Sequence, residues 1–270
     1  MTYHFDINAG VCHQVMPEAG LIYPGAIIVA TDSHTTTHGA FGAMGTGVGA
    51  TDMATIMISG ELWFRVPEII EIRIDGTPKE GVSPKDVVLY LMGQMRADGA
   101  VYKAIDFTGS YIEQLDVPGR MVICNMAVEM GAKTAYMQPN QLVIDYVSKR
   151  AVRPFEVQYT DNDFEYSESY KFDITDLTPQ VAVPHSVDNV FPIDDVEKVK
   201  VNQCFVGTCT GGRVEDLKAA ADILRGKKIH QDVRLIVIPA STEVMKECIA
   251  KGYLQDLIDA GAAISTPGCG

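Results

Sequence analysis

The C-terminal part of the chain repeats one unit, and that repetition constrains the fold more than any other feature. An apolar strand over 201–206 enters a glycine-rich turn over 207–212, then a helix over 213–225 closed by Gly226. A second strand over 233–238 is followed by Ser241, placed to cap a helix whose end Gly252 marks, and a third strand begins over 262–265. Strands that alternate with helices return in the same direction, which predicts a parallel, doubly wound α/β sheet. Ligands of such sheets bind outside the carboxyl ends of the strands. Cys209 and Cys269 stand there, after the first and third strands, in the turns G-T-C-T-G-G and P-G-C-G. Glycines beside a thiol leave room for a bulky inorganic ligand and expose main-chain N–H groups towards it. A lone strand-end cysteine is ordinarily inert packing; two in matching positions point towards metal.

The same logic applies near the N-terminus. The continuous apolar run A-I-I-V-A over 26–30 predicts a short strand covered on both faces. The segment T-D-S-H-T-T-T-H-G-A-F-G over 31–42 follows it as a loop, with Asp32, Ser33 and His34 at the strand end. These residue types also build the Asx and Ser/Thr turns that cap helices. From the residues alone, capping turn and functional loop stand side by side.

Between these regions the pattern is mostly scaffold. Ile70, Ile72 and Ile74 alternate with charged residues over 66–76, a half-buried strand. Ser83-Pro84-Lys85-Asp86 starts a helix, with serine at the N-cap, proline at the first position and an acid at the third. The segment 119–132 predicts a helix stopped at Gly131, on which Asn125 and Glu129 share one face of an otherwise apolar surface. Such a pair is either a satisfied buried network or part of a site. Residues 159–176 read as an acidic, aromatic connection, and the proline-punctuated tract 180–197 as a domain boundary.

With 270 residues, 47% hydrophobic and 21% charged, the chain has ample core for about two domains. No apolar run approaches the roughly 18 residues of a membrane helix, and no secretory signal pattern opens the sequence, so a cytoplasmic location is expected. The net charge of −13 weighs against nucleic-acid binding, which relies on Lys and Arg neutralising phosphates. Local cations can still hold an anionic small substrate; Arg120, Arg153 and Arg213 are candidates, although surface arginines are common. Six cysteines without a CxxC pair suit reduced thiols better than disulfides or a zinc site.

Taken in order, G-V-C-H-Q-V-M-P-E, T-D-S-H-T-T-T-H-G-A-F-G-A, L-W-F-R-V-P-E, R-M-V-I-C-N-M-A-V-E-M-G-A-K, G-T-C-T-G-G-R-V-E-D-L and P-G-C-G span nearly all of the chain. In these motifs the chain resembles the aconitase superfamily, and within it the large subunits of 3-isopropylmalate dehydratase and homoaconitase type. The resemblance implies three-layer α/β/α domains with mostly parallel sheets, divided at 1–67, 68–195 and 196–270, the first and last of them incomplete. It implies a hydro-lyase that dehydrates and rehydrates a 2-hydroxy di- or tricarboxylic acid, with a [4Fe–4S] cluster on three cysteines as Lewis acid.

Carried onto this sequence, the resemblance makes Cys209 and Cys269 two cluster ligands, and Asp32, Ser33 and His34 the family's D-S-H that contacts substrate. His13 matches the histidine of its H-Q element, Glu129 a carboxylate beside the reacting oxygen, Asn125 an asparagine near the cluster, and Arg213 a neighbouring cation. His4, His38 and His185 are left as turn or surface residues. Gly211 departs from the family's asparagine. The third cysteine of the family pattern falls two residues beyond Gly270, so the chain is expected to be an internal piece, incomplete as a cluster binder and inactive alone. A small subunit carrying the swivelling domain is the expected partner. The alternative is a non-catalytic remnant of the same fold without a cluster; RNA binding, known in cluster-free relatives, is disfavoured by the charge.

Overall fold

The computed structural model describes residues 3–161 and 163–270. The chain forms two compact units, one of residues 1–18 with 198–270, the other of 19–197. Among the described residues no helix is long and apolar enough to cross a membrane. Of the first unit, only α1 (Cys12–Glu18) comes before the chain enters the second.

In the second unit, β1 (Ile27–Ala30) pairs in parallel with β2 (Met44–Gly47), Ile27 opposite Met44. A 3-10 segment, Ser33–Phe41, joins them. Next come α2 (Ala50–Ser59), β3 (Ile69–Asp75), α3 (Pro84–Met95), β4 (Ala104–Thr108), α4 (Ser110–Gln114) and α5 (Val117–Asn125). They are followed by β5 (Thr134–Tyr136), α6 (Gln141–Ser148) and β6 (Glu168–Asp173). The four longer-range strands form a parallel sheet in the order β5-β4-β3-β6. Ile70, Ile72 and Ile74 are fully buried, as their period-two spacing predicts. The start of α3 carries the expected capping box: the Ser83 hydroxyl accepts from Asp86 N, and the Asp86 carboxylate accepts from Ser83 N.

The first unit is the repeat read from the sequence. Its strands β9 (Gln203–Gly207), β10 (Arg234–Ile238) and β11 (Ala263–Ile264) are all parallel, in the order β11-β10-β9; β7 (Gln180–Ala182) and β8 (Val190–Pro192) precede them as an antiparallel pair in the other unit. Helix α7 (Val214–Leu224), α8 (Thr242–Ala250) and α9 (Tyr253–Ala260) bury Leu217, Val244, Cys248, Leu254 and Leu257 against Leu235 and Val237 of β10. Ser241 caps α8 by accepting from Val244 N.

The structure corrects several expectations. The run at β1 is not covered on both faces: it pairs with β2 alone, outside the larger sheet, and Ile27 is 68% exposed. The connection over 159–176 contains β6, whose Tyr170 and Phe172 turn inward while polar neighbours stay out, the pattern of an edge strand. The tract 180–197 contains the β7–β8 pair. The helix over 119–132 is not continuous, because α5 ends at Asn125 and a 3-10 turn, Met126–Met130, carries the chain to Gly131. Gly252 closes α8 and also opens α9, a helix the sequence reading lacked.

Candidate active site

The segment after β1 is neither simple loop nor α-helix. Asp32 is extended, and its carboxylate accepts from His34 N at 2.8 Å, so the capping role is real. The threonines then hydrogen-bond to nearby carbonyls: Thr35 Oγ1 donates to Asp32 O at 2.5 Å and Thr37 Oγ1 to His34 O at 2.6 Å. Side chains that bond back to the main chain compete with α-helical geometry and favour the tighter 3-10 winding. The turn packs hard against β5. A Cβ on Gly39 would lie 2.0 Å from Ala135 O, so only glycine fits.

Helix α5 and the following 3-10 turn run antiparallel to this segment, residue against residue. Arg120 Nε donates to Ala40 O at 3.4 Å. Thr36 Oγ1 donates to Asn125 O at 3.1 Å, and Asn125 Nδ2 donates to Thr37 Oγ1 at 2.7 Å. His34 Nε2 meets Glu129 Oε1 at 3.2 Å. Asn125 and Glu129 thus reach one partner segment even though the helix breaks between them. His34 and Thr37 are three apart, the spacing that eclipses side chains in a 3-10 helix, which is why both face α5.

The ends of this ladder differ in environment. Asn125 is fully buried, whereas His34 and Glu129 keep about a third of their side-chain surface. The hydrogen bond to Glu129 raises the His34 pKa above its ordinary 6.5, against burial, which lowers it. The same bond holds the Glu129 carboxyl below its ordinary 4.5. Asp32 Oδ1 lies 3.7 Å from His34 Nδ1, and Ser33 Oγ 3.3 Å from the same nitrogen. The result is an imidazole flanked by two carboxylates and a hydroxyl at a partly accessible surface. Beside Ser33 opens a cavity of about 500 Å³ that Lys133 lines; its ammonium donates to Gly47 O and lies 5.5 Å from the Phe64 ring centre.

The remaining predicted residues belong to the other unit. Residues 8–18 lie across the carboxyl edge of the β11-β10-β9 sheet: Val11 N donates to Ala240 O, and Gly10 bridges to Ser241. At Gly10, φ is +126° and a Cβ would lie 2.4 Å from Ala240 O, which again restricts the position to glycine. Val11, Ala240 and Cys209 form one buried cluster. Arg213 is 2% exposed and its Nε donates to Gln14 Oε1 at 3.0 Å, next to the buried His13. The two cysteine turns also meet at this edge through main-chain bonds. Ala240 N donates to Gly212 O at 2.8 Å, and Gly268 N donates to Pro239 O at 3.1 Å. Strands β9 and β11 are therefore not neighbours but flank the end of β10. Cys209 is buried and Cys269 exposed. Thr208, at φ +73°, adopts a left-handed conformation that is unusual for a β-branched residue.

The model of the aconitase family (aconitate hydratase) matches residues 2–270. The chain belongs to the aconitase family. It is 50% identical over 266 residues to a probable methanogen homoaconitase large subunit of Methanothermobacter thermautotrophicus, covering 98% of this chain and 62% of that protein. It is 50% identical over 268 residues to 3-isopropylmalate dehydratase large subunit 1 of Methanopyrus kandleri, covering 99% and 64%. The large subunit of the same enzyme in Heliobacterium modesticaldum is 44% identical over 271 residues, covering 100% and 64%. The chain spans a little under two thirds of the length of these relatives. The mixed α/β architecture with parallel sheets is the one expected of an aconitase-family chain.

Two features of this candidate site in the aconitase-family chain were not legible in the sequence. Arg120, considered there as an anion-binding cation, is 1% exposed and gives its hydrogen bonds to the carbonyls of Ala40, Ile112 and Gln138. Thr36 and Thr37 are buried partners of Asn125 rather than generic turn residues. Their signal was the unbroken T-T-T run, too polar for a segment that is buried unless every hydroxyl has a partner. His38, left as a turn or surface residue, is 1% exposed.

Proposed function

We propose that this chain is the large-subunit part of a hydro-lyase that isomerises a 2-hydroxy di- or tricarboxylic acid of the 3-isopropylmalate type by dehydration and rehydration. The contact between His34 and Glu129 carries the reading. It brings an imidazole nitrogen within 3.2 Å of a carboxylate oxygen at a partly accessible surface, a pair suited to passing a proton. Loss of water from such an acid needs a base that takes the proton from the carbon next to the carbinol, a group that hands a proton to the leaving hydroxyl, and others that hold the carboxylates. The base for the carbon-bound proton is assigned to the small-subunit partner. His34 holds the proton for the leaving hydroxyl at Nε2. Glu129, kept ionised, accepts one in the reverse direction. Asp32 fixes the start of the turn through His34 N, and Ser33 Oγ offers a hydrogen bond to the substrate beside it. Asn125 holds the turn from behind through Thr37. His13 and Arg213 are assigned to substrate contact in the other unit.

The donor set at the sheet edge fits an iron–sulfur cluster at two positions. Cys209 and Cys269 sit in glycine-rich turns tied to the end of one strand, and thiolates are the ligands such clusters require. A bound [4Fe–4S] group would supply a Lewis acid for the hydroxyl. Cys248, buried in α8, and Cys124, buried in α5, are packing residues by position. The names of the relatives as large subunits support a small-subunit partner. The family division at 1–67, 68–195 and 196–270 is proposed for the complete fold.

The test is anaerobic reconstitution with iron and sulfide in the presence of a relative's small subunit, followed by an ultraviolet assay of double-bond formation from hydroxy acids. Turnover that falls in E129Q and H34A supports the reading. Absence of dehydration with 3-isopropylmalate, homocitrate and methylmalate-type acids, in protein shown to carry the cluster, would overturn it.

A further inference from the structure

Arg120 is a fully buried cation whose hydrogen bonds go to main-chain carbonyls. Its guanidinium donates from Nε to Ala40 O at 3.4 Å, from Nη1 to Ile112 O at 2.9 Å and from Nη2 to Gln138 O at 2.5 Å. Burial lowers its pKa, and the titratable groups that act on it are Cys124 and Tyr136 rather than a carboxylate. Taking a guanidinium out of water is costly, and carbonyl oxygens offset that cost only where several converge. Here the guanidinium ties together three main-chain acceptors, which an apolar side chain of similar volume would not.

The three carbonyls come from three separate pieces of chain. Ala40 lies in the last turn of the 3-10 segment that begins at Ser33. Ile112 is in α4, and Gln138 follows β5. The C-terminal end of a helical segment presents unsatisfied carbonyls and a partial negative charge, where a cation is favoured. The planar fork of arginine reaches several acceptors at once, which the point charge of lysine does not. The neighbouring Gly39 O is already occupied, accepting from Gly42 N and Met137 N. At its other end the same segment carries His34, six positions from Ala40, or about 12 Å at the rise of a 3-10 helix.

We propose that Arg120 is a positioning residue for His34. It locks the far end of the 3-10 segment to α5, and the segment, held in the middle by Asn125, sets the imidazole against Glu129. The functional meaning rests on the reading of His34 and Glu129 as site residues; the structural test does not.

The test uses the full chain with ring-labelled histidine, titrated by NMR in wild type, R120K, R120M and V143A. Val143 is fully buried in α6 and serves as a control for generic loss of stability. The groups that face His34 are Glu129, Asp32 and Lys85, and all four proteins retain them. In R120K and R120M the His34 pKa is expected to fall towards its ordinary 6.5, because the hydrogen bond to Glu129 that raises it is loosened. Amide exchange over residues 37–41 is expected to quicken by roughly tenfold. V143A should change neither at a comparable melting temperature. Unaltered His34 titration and exchange in R120K, at a stability matching V143A, would overturn the proposal. So would failure of both Arg120 variants to fold, since the effect would then extend beyond one segment. Should E129Q prove active, the function would fall while the positioning result stood.

Discussion

His34 Nε2 and Glu129 Oε1 meet at 3.2 Å although the residues are 95 positions apart in sequence. Neither is deeply buried, so their charges act on each other through a partly solvated gap, and the net worth of the pair is about 1 kcal/mol or less.

That pair predicts a pH window. A raised histidine pKa adds stability that is complete below 6.5 and fades as pH rises through the folded value. A depressed glutamate pKa adds stability that is complete above 4.5 and fades as pH falls through the folded value. Both contributions coexist between pH 4.5 and 6.5. Urea unfolding of wild type and E129Q should therefore differ most in that interval and converge towards about pH 8. A difference independent of pH would remove the ion pair from the account.

Asp106 predicts the opposite trend. Burial raises its carboxyl to about 6, with the nearby Glu71 charge adding to the rise and the Tyr166 hydroxyl, 2.7 Å away, opposing it. A carboxyl whose pKa is raised on folding is most favourable while protonated, so its contribution is lost as pH climbs from 3.8 through about 6. D106N, which keeps an acceptor for Tyr166, should gain stability over wild type at about pH 8 and gain none near pH 4. Equal unfolding midpoints at both pH values would contradict this.

The start of α3 separates two effects. S83A removes one side-chain cap and is expected to cost about 1 kcal/mol. D86A removes the reciprocal bond to Ser83 N and also the acceptor for Gln180 N at 2.7 Å, which ties in β7. It should lower the melting temperature further than S83A; the reverse order would show that the β7 contact adds nothing.

The thiols should divide by position. Cys204 and Cys269 are exposed and should react first with a thiol reagent in the native chain. Cys248, whose thiol burial pushes up to about 11, and the fully buried Cys124 should react only on unfolding. C209S or C269S should lower iron uptake on reconstitution, and C248S should not. Equal uptake in all three would place the iron elsewhere.

The strand-turn-helix repeat, the Ser83 capping box and the isoleucine alternation of β3 were legible because each is a local rule, written in residues within a few positions of one another. The edge strand β6 was not, since its burial comes from pairing with β3, about a hundred residues earlier. The break between Asn125 and Met126 was hidden for a related reason: the apolar run suits either helix type, and the contacts of Thr36 and Thr37 accompany the change.

The amino-acid sequence by itself determined the parallel α/β class, the glycine-rich cysteine turns at strand ends and the polar motif that holds Asp32, Ser33 and His34. Those follow from periodicity and turn chemistry, which need only neighbours. Tertiary structure alone decided that Arg120 is a clamp on carbonyls and no anion site, and that Asn125 and Glu129 both face one 3-10 segment. Such roles depend on which acceptor fills the space around a side chain, and that space is made by chain segments far apart in sequence.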